Sequence, residues 1–431
     1  MMTNPALKPA QATSPAETRG RPINAIEHEP MSDAPRPARA HAALAVALLA
    51  NAAGQSLLFV MLPGLGRELG FSDLQTGGLL SAAALILILA APIWGFMSEK
   101  TGRRPVLLVG LAGVIIGPLL FAAIVQGRLS GELAVSGALI LLFLSRGAQA
   151  LLSGGLMPVA QAYMADTTAA SGRAGGMGLL GAAYGVGAIV GAALAWRVGG
   201  GAPVLAFFIA AGLGLIGLSC LALLVPEPRQ RAILAKGERL HLGALWPFLL
   251  ITLLAITAYG LLQQVAALRM ADEWGMDTQQ ATSTAGAVMM VTSLAMILCQ
   301  GIVLRFLRWP PSRLLLVGAG LATVGLLAAL LVRSPTELFY AMALFGAAVG
   351  LMLPGNLASL SLRAGVDAQG KAAGVNAMGQ GLGMSLGPIL GAGLHQLSPL
   401  APFTMACLLL ALCTVLALLV TRMRPPSRVG H

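Results

Sequence analysis

The chain has 431 residues, of which 57% are hydrophobic and only 10% charged, with mean hydropathy +0.82; so apolar a composition excludes an ordinary soluble domain and places the protein in a bilayer. The formal net charge of +11 does not point to nucleic acid, because the basic residues are scattered through short connections and tails with no basic face interleaved with aromatics. Apolar runs that are continuous rather than alternating exclude a β-barrel, which leaves helices as the only way to satisfy the backbone in lipid.

Residues 1–40 are rich in Pro, Ala and charge and read as a disordered cytoplasmic tail, not a signal peptide. Twelve apolar spans follow, at 41–63, 74–97, 104–126, 135–163, 174–196, 202–225, 246–268, 280–304, 313–332, 337–362, 372–395 and 400–421. Each approaches the roughly 20 residues that cross about 30 Å of hydrocarbon as a helix. The predicted fold is an all-α membrane protein with a six-helix bundle at 41–225, a cytoplasmic central loop at 226–245, a second six-helix bundle at 246–422 and a cytoplasmic tail at 423–431.

Span one carries Asn51 and Gln55 at i and i+4, hence on one side, and Gln263 and Gln264 sit at similar depth on span seven. They line a cavity or hydrogen-bond between helices. Span four holds Arg146 and Gln149. A central Arg costs about 2.5–3.5 kcal/mol on insertion scales, so it faces a cavity, a ligand or a partner. The readings are substrate recognition or coupling, against a structural Arg satisfied by carbonyls and Gln149.

The halves repeat. Span five reads GAAYGVGAIVGAAL and span eleven GLGMSLGPILGAGL, so that Gly187 and Gly191 align with Gly387 and Gly391, and the preceding spans share GGLMPVA and VGLMLPG. With Gly383 and Pro388, these glycines form stripes every four residues on which another helix can pack closely. Six-plus-six repeats are a transporter signature. About 21 basic residues fall on the side of the tails against five (Arg67, Arg128, Arg197, Arg269 and Arg333) on the other, which predicts both termini in the cytoplasm.

Between spans two and three stands GFMSEKTGRRP, where Gly95 and Gly102 allow close approach and a tight turn and Arg103 and Arg104 can cap a helix end or pair with Glu99. This hairpin resembles the signature loop of the major facilitator superfamily, GxLADrxGrrp, with Glu99 in place of Asp. RGAQALLSG from Arg146 is similar to the family's fourth-helix pattern RxxQGxG, and ADTTAASGRAGG, with Asp166 and Arg173, to a loop of its efflux branches. The resemblance covers residues 41–422. It implies the two-half fold, a conformational latch at the hairpin, and a proton-driven drug or metabolite exporter of the bacterial inner membrane, with a carboxylate-bearing siderophore as one candidate substrate.

The alternatives are an importer or facilitator of a polar or anionic metabolite and, further off, a membrane-embedded enzyme. The enzyme would need a convergent titratable cluster, which the scattered histidines and acid-free span centres do not offer. If protons couple, the candidates are carboxylates at membrane edges, Asp166 among them, and His395. No cofactor, metal or nucleic-acid partner is expected. The partners are the lipid bilayer, a small-molecule substrate and protons, and the chain is expected to be a monomer.

Overall fold

The computed structural model describes Met1 and residues 37–168, 172–228, 242–307, 309–364 and 369–422. Most of the predicted amino-terminal tail, the greater part of the central loop and the carboxy-terminal tail lie outside the described residues. The first half contains α1 (Pro37–Glu68), α2 (Asp73–Thr101), α3 (Arg103–Leu129), α4 (Val135–Ser153), α5 (Leu156–Thr167), α6 (Arg173–Leu194) and α7 (Pro203–Leu224). The second contains α8 (Leu242–Trp274), α9 (Thr278–Leu298), the single turn α10 (Leu304–Phe306), α11 (Pro311–Leu331), α12 (Pro335–Ala364), α13 (Gln369–His395) and α14 (Ala401–Arg422). No strand occurs among the described residues.

Eleven described helical segments are long and apolar enough to span a membrane. The twelfth, α13, has the length but is diluted by Lys371, Asn376, Gln380 and Ser385. Several boundaries differ from the hydropathy reading by a turn or so, α1 running on to Glu68, α2 to Thr101 and α8 to Trp274, and three differences have a structural consequence. Helix α1 starts at Pro37, inside the predicted tail, because proline fits the first helical turn, where its missing N–H costs nothing. Helix α8 begins at Leu242. The fourth span is broken at Gly154–Gly155, where a Cβ would lie 2.7 Å from Ala90 and 2.7 Å from Trp94, so α2 packs directly onto the break.

Local chemistry sets the turns. Ser72 and Gln75 form a reciprocal capping box at the start of α2, and the Asp277 carboxylate accepts from the Gln280 N–H at 2.8 Å at the start of α9. In each half one pair of long helices meets through glycine. Gly187 and Gly191 place α6 on α1, with a Cβ at Gly187 falling 2.8 Å from Ala52 and one at Gly191 falling 2.8 Å from the Leu57 nitrogen. Gly383, Gly387 and Gly391 place α13 on α8, where a Cβ at Gly387 would fall 2.7 Å from the Leu261 nitrogen. Gly260 lies opposite Gly387, and Pro388 packs near it. Helices α1 and α6 stand in the first half where α8 and α13 stand in the second, so the glycine repeat maps onto equivalent contacts. Cys299, Cys407 and Cys413 are buried and unpaired.

The halves touch mainly through α2 with α13 and α6 with α9. Reporter fusions check the expected orientation: one after Pro105 should read as cytoplasmic and one near Asp272 as periplasmic, and the opposite labelling would refute the charge-based topology.

Candidate functional site

Arg146, on the twelfth position of α4, is 3% exposed. Its Nη1 donates to Gln149 Oε1 at 2.8 Å and its Nη2 to Gln55 Oε1 on α1. Both partners are neutral amides. The Nε is buried without a partner, and no carboxylate pairs with the guanidinium among the described residues. Gln149 is seated by Gly117 on α3, where a Cβ would lie 2.6 Å from Gln149 Cγ. Asn51 is buried one turn from Gln55 with its Oδ1 unpartnered, and Gln263 Oε1 and Gln264 Oε1 on α8 are likewise unsatisfied. The arrangement holds a positive charge with one free donor, Arg146 Nε, inside the bundle, and the free amide oxygens of Asn51, Gln263 and Gln264 are acceptors.

Polar bonds between the halves gather at one end. Arg67 of α1 grips two carboxylates at once, Asp73 through Nε and Nη2 at 2.8 and 2.7 Å and Asp272 of α8 through Nη1 and Nη2 at 2.6 and 2.8 Å. Asp272 Oδ2 also accepts from His395 Nε2 of α13 at 2.8 Å. Deeper on the same side, Gln264 Nε2 donates to Thr76 at 3.3 Å, Ser385 donates to the Ser81 carbonyl at 3.0 Å, and the Ile389 N–H donates to Ser81 Oγ at 3.0 Å. A Cβ on Gly77 would lie 2.7 Å from Ala392 Cβ and 2.7 Å from the Pro388 carbonyl, so α2 and α13 touch backbone to backbone there.

Toward the Thr101 end the contact dies away. Gly381 still meets Ile88, but Gly95 on α2 and Gly374 on α13, nearer that end, face open space, as do Gly175 and Gly178 on α6 and Gly301 beyond α9. No hydrogen bond between two described residues joins the halves there, where Asp166, Arg363 and Lys371 are each engaged.

The GFMSEKTGRRP hairpin sits at this open end. Gly102 has φ +108 and ψ 159, a region open essentially to glycine alone, and a Cβ would strike the Glu227 carboxylate 2.8 Å away. Glu227, just past α7, accepts from the Arg103 N–H at 2.6 Å and the Arg104 N–H at 2.8 Å, an anion on the positive end of α3. Arg103 pairs with Asp166 at 3.0 Å and donates to Ser98 at 2.6 Å, while Arg104 donates to the Ala222 carbonyl at 2.7 Å. Two expectations are corrected. Glu99 is exposed and makes no ion pair among the described residues, because both arginines are drawn to partners inside the first half. Gly95 permits no close approach in this state. Gly102→Ala should therefore lower folded yield, by about 1–3 kcal/mol of backbone strain, whereas Glu99→Gln should leave it unchanged; thermal melting of the two purified variants checks both.

The structure brings Arg146, Gln149, Gln55 and Asn51 together and places Gln263 and Gln264 deeper along α8. It sets Asp166 of α5 against Arg103 of the hairpin and His395 at the opposite end, so neither candidate acid–base group meets Arg146. Arg67, Asp73, Asp272 and Glu227 are not among the sequence candidates, because each stands at a helix end where a charge is ordinary. The sequence pattern of the Major Facilitator Superfamily matches residues 44–331 and again 248–431. The chain belongs to this superfamily. It is a multi-pass membrane protein of the type this transporter superfamily comprises. Over 177 residues it is 38% identical to the class B tetracycline resistance protein of Escherichia coli, a match covering 40% of this chain and 41% of that relative. Multidrug resistance protein 1 of Bacillus subtilis (strain 168) is 25% identical over 369 residues, 83% of this chain and 90% of the relative. A bacterial homologue of the human lysosomal transporter Spinster, in an inward-facing and unoccupied conformation, superimposes with TM-score 0.69 at 16% identity over 90% of this chain and 97% of that one; at that identity the likeness carries the fold alone.

Proposed function

We propose that the protein exports a small organic molecule across a bacterial inner membrane by alternating access, exchanging it for protons. The Thr101 end and both termini face the cytoplasm, and the Arg67 end faces out. The state described is then open to the cell and sealed on the far side by Arg67 and Asp272. One observation carries the reading: a buried guanidinium, neutralised by no carboxylate, held by two neutral amides and with its Nε unpartnered, lies between a closed end and an open one. A guest that supplies an anionic group would complete Arg146, whose planar fork suits a bidentate carboxylate or enolate. The drug-resistance relatives support export, and a carboxylate-bearing siderophore is one substrate of fitting chemistry.

Cells expressing the protein should hold several-fold less of such a compound than cells expressing Arg146→Ala at equal protein level. Accumulation assays over a panel of carboxylate siderophores and tetracycline make the comparison. Equal accumulation of every member in the two strains would overturn the reading.

A further inference from the structure

At the Arg67 end an ion pair joins the halves, Arg67 with Asp272, and it is shared. Arg67 divides its donors between Asp73 and Asp272, and Asp272 divides its oxygens between Arg67 and His395. A carboxylate can only accept, so His395 presents Nε2–H to Asp272 and its neutral ring leaves Nδ1 as a bare lone pair. That nitrogen is buried and has no partner, and the side chain is 2% exposed. The charges around it do not balance: one guanidinium faces two carboxylates, which leaves one negative charge in a partly desolvated cluster.

The other elements near His395 do not supply the missing cation. Glu68 of α1 is exposed, and Arg128 of α3 donates to the Leu69 carbonyl on the far side of the α1–α2 turn. On α8, Arg269 and Glu273 pair with each other; on α12, Glu337 accepts from the Arg333 N–H. Helix α14 brings no charged side chain from Ala401 to Val420.

We infer that His395 is the proton-binding group of the outer gate: a proton taken onto Nδ1 from outside turns the Arg67–Asp73–Asp272–His395 cluster neutral and so favours closure. The inference rests on the proposed proton antiport and names its switch. Only Nδ1 gains a proton, and Nε2–H stays on Asp272. When Arg67 and Asp272 part, the imidazole meets external water and can load; when they rejoin, the added charge is enclosed beside Asp272. Proton uptake outside thus shifts the population toward the inward-open state, the direction an exporter needs after releasing its cargo, and the exchange is completed when Nδ1 gives the proton up toward the cytoplasmic side before the outer gate reopens.

Spin labels at Glu132→Cys and Arg333→Cys, exposed sites on opposite halves at this end, report the gate in the full chain with its native cysteines replaced. Lowering the pH from about 8 to about 5.5 should raise the short-distance population about threefold or more. His395→Gln should remove that response and His395→Lys should hold the gate closed at both pH values. Asp272→Asn provides a second route should the Gln variant fail to insert: with the surplus carboxylate neutralised, the pH response must disappear although His395 remains. A pH response that persists in His395→Gln or Asp272→Asn, or a wild type with none, overturns the inference. Transport under a pH gradient is scored separately, so a gate that responds in a protein whose export ignores the gradient would sink the antiport reading and leave the switch standing.

Discussion

Gly77→Ala should hold the Arg67 end open and cut export at least about tenfold while the protein remains folded and inserted. Alanine is the better helix former by about 1 kcal/mol, so α2 itself gains. The added methyl, however, would sit 2.7 Å from the Pro388 carbonyl and 2.7 Å from Ala392, and a backbone carbonyl cannot swing aside as a flexible side chain can. Because α2 and α13 belong to different halves, the clash is relieved by separating the halves rather than by unfolding either one. The long-distance population of the Glu132/Arg333 spin pair should rise accordingly. The same substitution pattern at Gly187 or Gly387 has a different expected outcome, since those glycines join helices of one half: leucine there should reduce the amount of folded protein. Wild-type export by Gly77→Ala would show that the close contact at this end is not part of the transport cycle.

Arg146 carries the second large effect. Arg146→Ala should lower export by about tenfold to a hundredfold, the range expected for losing one or two hydrogen bonds to a charged group. It should also leave Gln55 and Gln149 without their shared donor. Lysine separates the roles: it keeps the charge but cannot bridge Gln149 and Gln55 while engaging a planar carboxylate. Loss in both variants marks bidentate recognition, whereas retained export by Arg146→Lys marks a purely electrostatic role. Export at the wild-type rate by Arg146→Ala at every external pH would remove Arg146 from the mechanism.

The parts of the molecule that were legible in sequence are those written in composition and short spacing. Apolar run length gave the helices, and the glycine register of Gly187, Gly191, Gly387 and Gly391 pointed to the equivalent pairs α1–α6 and α8–α13. Arg146 was conspicuous because a charge deep in an apolar run has few bland explanations. The gate was not legible. Arg67 and Asp272 stand 205 residues apart, each at a helix end where a charge is ordinary, and only their meeting across the halves makes them a device. Glu227 escaped for the same reason, as it caps a helix that begins more than a hundred residues earlier. The glycine stripe showed where helices pack closely but not whether the neighbour belongs to the same half, and so it missed Gly77, the glycine set on the boundary that has to move.

Alternation of the two ends is the central claim, and a second spin pair tests it without any substrate in hand. Thr101→Cys on α2 and Ala373→Cys on α13 are exposed positions at the open end on opposite halves. Introducing Gly77→Ala, which lengthens the Glu132/Arg333 distance, should shorten the Thr101/Ala373 distance in the same protein, because rigid halves that part at one end must meet at the other. A Thr101/Ala373 distance that stays unchanged or also lengthens would contradict alternating access.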